Sequence, residues 1–234
     1  MDRSPPDTAA AAARGPALPG IAGGLLLLVL LGAGVLVGFA PQVRLDEAVS
    51  EAMYAGDDRA EALSGLLEVL TAPGSSAFRF AVFAPVLIWL AVRHAWRTAA
   101  WVLVAIALIG PVTRFLKDLV GRVRPAFEDG GASYDGLSYP SGHSSGIATL
   151  VTVALVLAWP RLTAPARRRA LAVGIALAVL VGLTRMWLGV HFLSDVVGGW
   201  SLGVAWSLAV ALVAGGLPGG PAALPARAAV EERS

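Results

Sequence analysis

The sequence predicts an all-α integral membrane protein of six transmembrane helices, with an amphipathic helical loop on the extracytoplasmic side between the first and the second. Two observations carry this. Of 234 residues, 56% are hydrophobic and only 15% charged, with a mean hydropathy of +0.71, far more apolar than a soluble domain. Apolar stretches of about 20 residues recur along the chain, each long enough to cross a bilayer as a helix.

The spans follow in order: 20–40, 74–92, 98–116, 144–159, 170–188 and 192–214. The first is longer than the apolar core of a signal peptide, and Pro41 follows its only small-residue exit, so it reads as a retained helix. Residues 20–214 form one six-helix membrane domain. The flanks, 1–19 and 215–234, are rich in Ala, Pro, Gly and Arg and read as disordered tails.

Other classes are excluded by composition. The formal charge is only +2, and the 18 basic residues, of which Lys117 alone is a lysine, are scattered between apolar runs. That is no nucleic-acid footprint. Cysteine is absent and there are three histidines, so neither disulfides nor a thiolate or His-rich metal site is expected.

Orientation follows from the short loops. Arg93, Arg97, Arg161, Arg167, Arg168 and Arg169 fall on one side with both tails (Arg3, Arg14, Arg227, Arg233), which makes that side cytoplasmic. The opposite side carries the 41–73 loop, with seven acids (Asp46, Glu47, Glu51, Asp57, Asp58, Glu61, Glu68) against Arg44 and Arg59. In that loop Leu45, Val49, Ala52 and Met53, then Leu63, Leu66, Leu67 and Leu70, recur at helical spacing. One or two amphipathic helices lying along the membrane surface, as a packing lid, account for this pattern.

Three polar clusters fall on the same outer face. The first runs from Lys117 to Pro125 at the end of the third span. Lys117 and Arg124 lie seven residues apart, offset by only about 20° if the helix persists, so both could meet one anion. Arg114, Asp118 and Arg122, at i, i+4 and i+8, read as a surface salt-bridged row. The second cluster, Tyr139-Pro140-Ser141-Gly142-His143, leads into the fourth span. Its first backbone N–H groups make an anion seat with His143 at the rim. The third runs from Thr184-Arg185 to His191 and Asp195. On a helix Asp195 could reach an imidazole nitrogen of His191 and fix its tautomer, leaving the other nitrogen as a nucleophile. Arg185 lies about 240° from His191 on a continuous helix, so it converges only if the chain turns, and Gly189 is the natural place.

Each cluster alone has a bland explanation, in snorkelling span ends or helix caps. Together, three cations, two histidines and a carboxylate on one membrane face supply what phosphoryl transfer needs: clamps for the oxygens, a nucleophile and an acid for the leaving group.

These motifs resemble those of the type 2 phosphatidic acid phosphatases, whose superfamily also holds bacterial acid phosphatases and vanadium haloperoxidases. The pattern K-x6-R-P, P-S-G-H, S-R-x5-H-x3-D is met at Lys117–Pro125, Pro140–His143 and Thr184–Asp195. The one departure is Thr184 for the usual Ser, which keeps a hydroxyl. The resemblance implies a metal-independent, cofactor-free lipid phosphatase of the cell membrane, and the arginine distribution makes its site extracytoplasmic and both termini cytoplasmic. His191 would form a phosphohistidine, Asp195 would orient it, and His143 would protonate the leaving oxygen and later activate water. Lys117, Arg124 and Arg185 would hold the phosphoryl oxygens, with Ser141 and the Gly142 N–H as further donors. The partners expected are a lipid phosphate or diphosphate substrate and membrane lipids, with isoprenyl diphosphate recycling favoured. A lipid phosphotransferase would use the same intermediate. A haloperoxidase is disfavoured by the membrane spans. An anion or lipid transporter gives no reason for the His191–Asp195 pair and would place its ions near the midplane.

Overall fold

Residues 7–56, 61–127 and 136–226 are described by the structure, a computed structural model in which all regular elements are helical. Eight helices follow one another: α1 (Asp7–Leu36), α2 (Ala40–Met53), α3 (Glu61–Thr71), α4 (Ser76–Val92), α5 (Trp96–Val120), α6 (Gly142–Ala158), α7 (Ala164–Trp187) and α8 (Leu193–Ala214). Short 3-10 turns at Ala72–Gly74 and Trp159–Arg161 lead into α4 and out of α6.

Among the described residues five helical segments are long and apolar enough to cross a membrane: Ala17–Leu36, Trp96–Val120, Gly142–Arg161, Ala164–Trp187 and Leu193–Ala214. The remaining expected span is α4. It has 17 residues, the short end for a crossing, and it meets the segment Glu61–Gly74 at a bend of 48°. The expected amphipathic loop is the pair α2 and α3.

The centre of the bundle is the pair α6 and α8, with α1 laid along α8. Small residues set this spacing. A Cβ at Gly199 or Gly203 would lie 2.5 Å from the carbonyl oxygen of Ser141 or Ser145, so glycine lets the two backbones touch, as small residues do where lipid gives helices no hydrophobic reason to associate. Around this seam a buried cluster of Phe83, Leu90, Trp101, Val102, Ile106 and Val153 fills the interior. The outward faces of α1, α5 and α7 stay apolar, for instance at Leu26, Phe115 and Val173, as befits a lipid-facing surface.

Two differences from the sequence expectation concern the flanks. Helix α1 begins at Asp7, well inside the expected N-terminal tail. On the other flank, 215–226 is not a loose tail: Leu217 and Ala222 are buried in the core, and the Ala222 carbonyl accepts from Thr98 Oγ1 at 2.8 Å. A segment read as Gly- and Pro-rich and therefore disordered is held by turns at Gly215 and Gly219, both at positive φ. Arg3, Asp57, Asp58, Arg59, Arg227 and Arg233 lie outside the described residues.

Helix α2 differs in another way. Its buried residues are Asp46 and Ser50, while Leu45 is exposed. The polar face turns inward because partners for a carboxylate lie inside the molecule.

Candidate active site

The three motifs meet where α5 ends and α6 and α8 begin. Helix α5 stops at Val120, with Gly121 in the left-handed conformation (φ 68°) closing it on the Lys117 carbonyl. Lys117 is therefore in the last turn, while Arg124 lies in the following loop, so no common helix face joins them. They converge another way. Lys117 Nζ donates to the Leu137 and Ser138 carbonyls, and Arg124 Nε donates to the Gly136 carbonyl at 3.0 Å. The two cations grip one short segment, 136–138.

The same helix end dissolves the expected ladder of Arg114, Asp118 and Arg122. Among the described residues no ion pair joins Arg114 to Asp118. Arg122, past the helix end, turns inward. Its Nη2 meets Asp46 Oδ2 at 2.7 Å and its Nη1 meets Asp195 Oδ1 at 2.8 Å and Ser194 Oγ at 2.7 Å. Its guanidinium also stacks 4.0 Å over the Phe192 ring. Asp46, reaching down from α2, accepts in addition from the Ser194 backbone N–H and hydroxyl at 2.9 and 2.6 Å.

Gly189 makes the turn expected of it (φ 68°), which carries the chain from Arg185 on α7 to His191 just before α8. His191 and Asp195 are not two positions on one helix face. His191 precedes the helix; Asp195 is in its first turn, where Oδ2 accepts from the Phe192 N–H at 3.0 Å and lies 3.3 Å from His191 Nδ1. The carboxylate thus caps the helix and holds the imidazole at once.

The tautomer follows from the other ring nitrogen. Arg124 Nη1 lies 3.3 Å from His191 Nε2 and donates to the Val190 carbonyl at 2.8 Å. A guanidinium can only donate, so Nε2 carries the lone pair and Nδ1–H points to Asp195. Burial holds the His191 pKa down to about 4, with the Asp195 hydrogen bond and charge opposing and Lys117 and Arg185 reinforcing. Burial thus favours the neutral imidazole, and Nε2, which carries the lone pair, faces Arg124.

His143 is the second residue of α6, within electrostatic reach of Arg185, His191, Arg124 and Lys117. Ser141 caps that helix; its Oγ accepts from the Ser144 N–H at 3.4 Å, and its own N–H donates to the Asp195 carbonyl at 2.9 Å. That N–H is therefore engaged in tying α6 to α8. Gly142 is the first residue of α6, so its N–H has no intrahelical acceptor. Arg185 is buried, with Nη1 3.4 Å from Thr71 Oγ1, and Thr184 Oγ1 bonds back to the Val181 carbonyl at 2.6 Å, as the serine of the motif could.

Asp46, Arg122, Ser194 and Thr71 are the residues that motif spacing does not single out. Asp46 hides among seven acids of one loop. A further one is Arg79, a buried arginine on α4, for which a signal existed: an arginine inside an otherwise apolar span. One cavity, of about 930 Å³, is an apolar crevice lined by Val151, Leu155, Ile175 and Trp200, with no histidine in its lining. A smaller one of about 280 Å³ adjoins His143 and Lys117.

Known proteins resemble the chain in sequence and in fold. Over 96 residues the chain is 40% identical to phosphatidylglycerophosphatase B of Bacillus subtilis (strain 168), covering 40% of this chain and 46% of that one. Over 123 residues it is 32% identical to a lipid A 1-phosphatase of Rhizobium johnstonii, covering 49% of this chain and 47% of that one. The chain spans about half the length of the curated relatives it matches. Among solved structures it superposes on the transmembrane PAP2 type phosphatidylglycerolphosphate phosphatase from Bacillus subtilis with a TM-score of 0.64 at 26% identity, covering 82% of this chain and 94% of that one. Aquifex aeolicus LpxE shares the fold at a TM-score of 0.52 and 23% identity, with 73% and 94% covered. The PAP2 superfamily pattern matches residues 98–216, half of the chain and the stretch that carries all three motifs, and the chain belongs to that superfamily.

Proposed function

We propose that the protein is a membrane lipid phosphatase that hydrolyses a lipid phosphate or isoprenyl diphosphate through a phosphohistidine, without a metal, at the extracytoplasmic face. The observation that carries this reading is His191 held between Asp195 on Nδ1 and a guanidinium on Nε2. That arrangement aims a neutral nucleophile at the place where cations would hold a phosphoryl group. The relatives named for phosphatidylglycerophosphate and lipid A support a lipid phosphate as substrate.

In the proposed reaction Nε2 attacks phosphorus while Lys117, Arg124, Arg185 and the Gly142 N–H bear the charge on the equatorial oxygens. The P–O bond to the lipid breaks, and His143 gives its proton to the departing oxygen. His143 then takes a proton from water, which attacks phosphorus and breaks the P–N bond, releasing phosphate and restoring His191. The positive charge needed is supplied by side chains. The nearby carboxylates Asp46 and Asp195 are already engaged by Arg122, Ser194 and His191, which supports a metal-free reaction.

Purified protein in detergent should release phosphate from a lipid phosphate and yield an acid-labile phosphoryl adduct on the peptide containing His191. Absence of both from folded protein would refute the reading.

A further inference from the structure

We infer that the 280 Å³ cavity beside His143 is a second anion subsite, which takes the inner phosphoryl group of a lipid diphosphate while the terminal one is being cleaved. The inference rests on the reading of His191 and His143 given above.

The cavity lies between the start of α4, the outer half of α5 and the start of α6, and its charged lining is Arg79, Arg114, Lys117 and His143. No carboxylate lines it. Arg79 is the informative member. It is buried, on a span, and among the described residues no acid pairs with it. An intramembrane cation without a counter-charge is costly, and such residues mark ligand paths. Two of its nitrogens are occupied, Nε by the Ile106 carbonyl at 3.0 Å and Nη2 by Ser76 Oγ at 3.2 Å. These bonds pin the guanidinium between α4 and α5 and, among the described residues, set no carboxylate against its charge. Ser75 and Ser76 add hydroxyls to the same wall. Gly110 opens the opposite one: a Cβ there would meet no atom within 4 Å.

The position fixes the ligand class. Lys117 and His143 belong both to this cavity and to the motif cluster. A group seated here is therefore next to the oxygen that His143 protonates, one bond beyond the phosphorus attacked by His191. In a lipid diphosphate that neighbour is a second phosphorus. The step balances: His191 Nε2 forms a bond to the terminal phosphorus, the bridging P–O bond breaks, His143 protonates the bridging oxygen, and lipid monophosphate leaves. Water then discharges the phosphohistidine as phosphate. In a simple lipid monophosphate the cavity would hold only the first carbons of the chain, for which a cationic wall is a poor match.

The test compares farnesyl diphosphate with farnesyl phosphate in detergent micelles, for the wild type and for Arg79→Gln, Arg79→Lys and Gly110→Leu. Gly110→Leu fills the cavity without removing a hydrogen bond, so it reads the subsite even if Arg79→Gln folds poorly. The ratio of kcat/KM for diphosphate over monophosphate should fall about tenfold in Arg79→Gln and in Gly110→Leu, with partial recovery in Arg79→Lys, as expected for one charge-assisted contact. An unchanged ratio in Gly110→Leu would overturn the subsite while leaving the phosphatase reading intact. Wild-type protein that hydrolyses neither substrate and forms no adduct would overturn both.

Discussion

Arg122 donates to Oδ1 of Asp195 at 2.8 Å, which leaves Oδ2 of the same carboxylate to hold His191 at 3.3 Å. The second arm of Arg122 is anchored by Asp46 at 2.7 Å, so a residue of helix α2 braces the carboxylate that holds His191. Replacing Arg122 by Gln leaves two buried carboxylates without their shared counter-charge, a loss of about 3–5 kcal/mol for a broken buried pair. Misplacement of His191 should slow adduct formation on the order of a hundredfold. Thermal melting and single-turnover labelling measure the two effects separately. Labelling at the wild-type rate in folded Arg122→Gln would show that Asp195 needs no such support.

The two histidines should separate by leaving group. His191→Ala is expected to abolish both adduct and turnover. His143→Ala should lose about 10²–10⁴-fold with a lipid phosphate yet still label His191 from an aryl phosphate whose phenol leaves without a proton. Labelling of His143 in the His191 variant would reverse the roles.

The pH dependence follows from burial. Because the His191 pKa is lowered, its neutral form persists as the pH falls, and adduct formation should be lost only as the pH passes through about 4, instead of near the ordinary imidazole value of about 6.5. Lys117 contributes to that lowering, so the acid limb of Lys117→Gln should move upward. Single-turnover labelling across pH locates both limbs, and a wild-type limb near the ordinary value would contradict the buried, neutral nucleophile.

Turnover should persist in EDTA if, as proposed, Lys117, Arg124 and Arg185 supply the positive charge that a metal would otherwise bring. Loss of phosphate release in chelator, restored by magnesium, would overturn the mechanism.

Sidedness can be read directly in this cysteine-free chain. Val123, 76% exposed beside Arg124, should as Cys react with an impermeant thiol reagent on intact cells, whereas Arg97→Cys should react only after lysis. The reverse pattern would place the site on the cytoplasmic face.

The spans were legible because length and apolarity alone specify a membrane helix, and the family because the motif spacings that mark it are read directly along the chain. What the sequence concealed depends on where helices stop. With α5 running on, Arg122 belongs to a surface row; with α5 ending at Gly121, it is the centre of the ion network. Asp46 was equally hidden, since no periodicity distinguishes the one acid of α2 that faces inward. The burial of Leu217 and Ala222 escaped because turns at Gly215 and Gly219 fold a Gly- and Pro-rich segment onto Trp101, a tertiary contact without local signature.

The hydrogen bond from the Ser141 N–H to the Asp195 carbonyl clamps the beginnings of α6 and α8 together, and the close-packed seam at Gly199 and Gly203 continues that clamp inward. Half of the α8 span is buried and 44% of that of α6, against 17% for α1. A thinner or thicker bilayer is therefore met first by the less buried α1, which can tilt against lipid, while the two helix starts that bear His143 and Asp195 move as one body. Reconstituted in lipids of graded acyl length, the protein should keep its single-turnover rate nearly constant even where its substrate affinity drifts with membrane thickness.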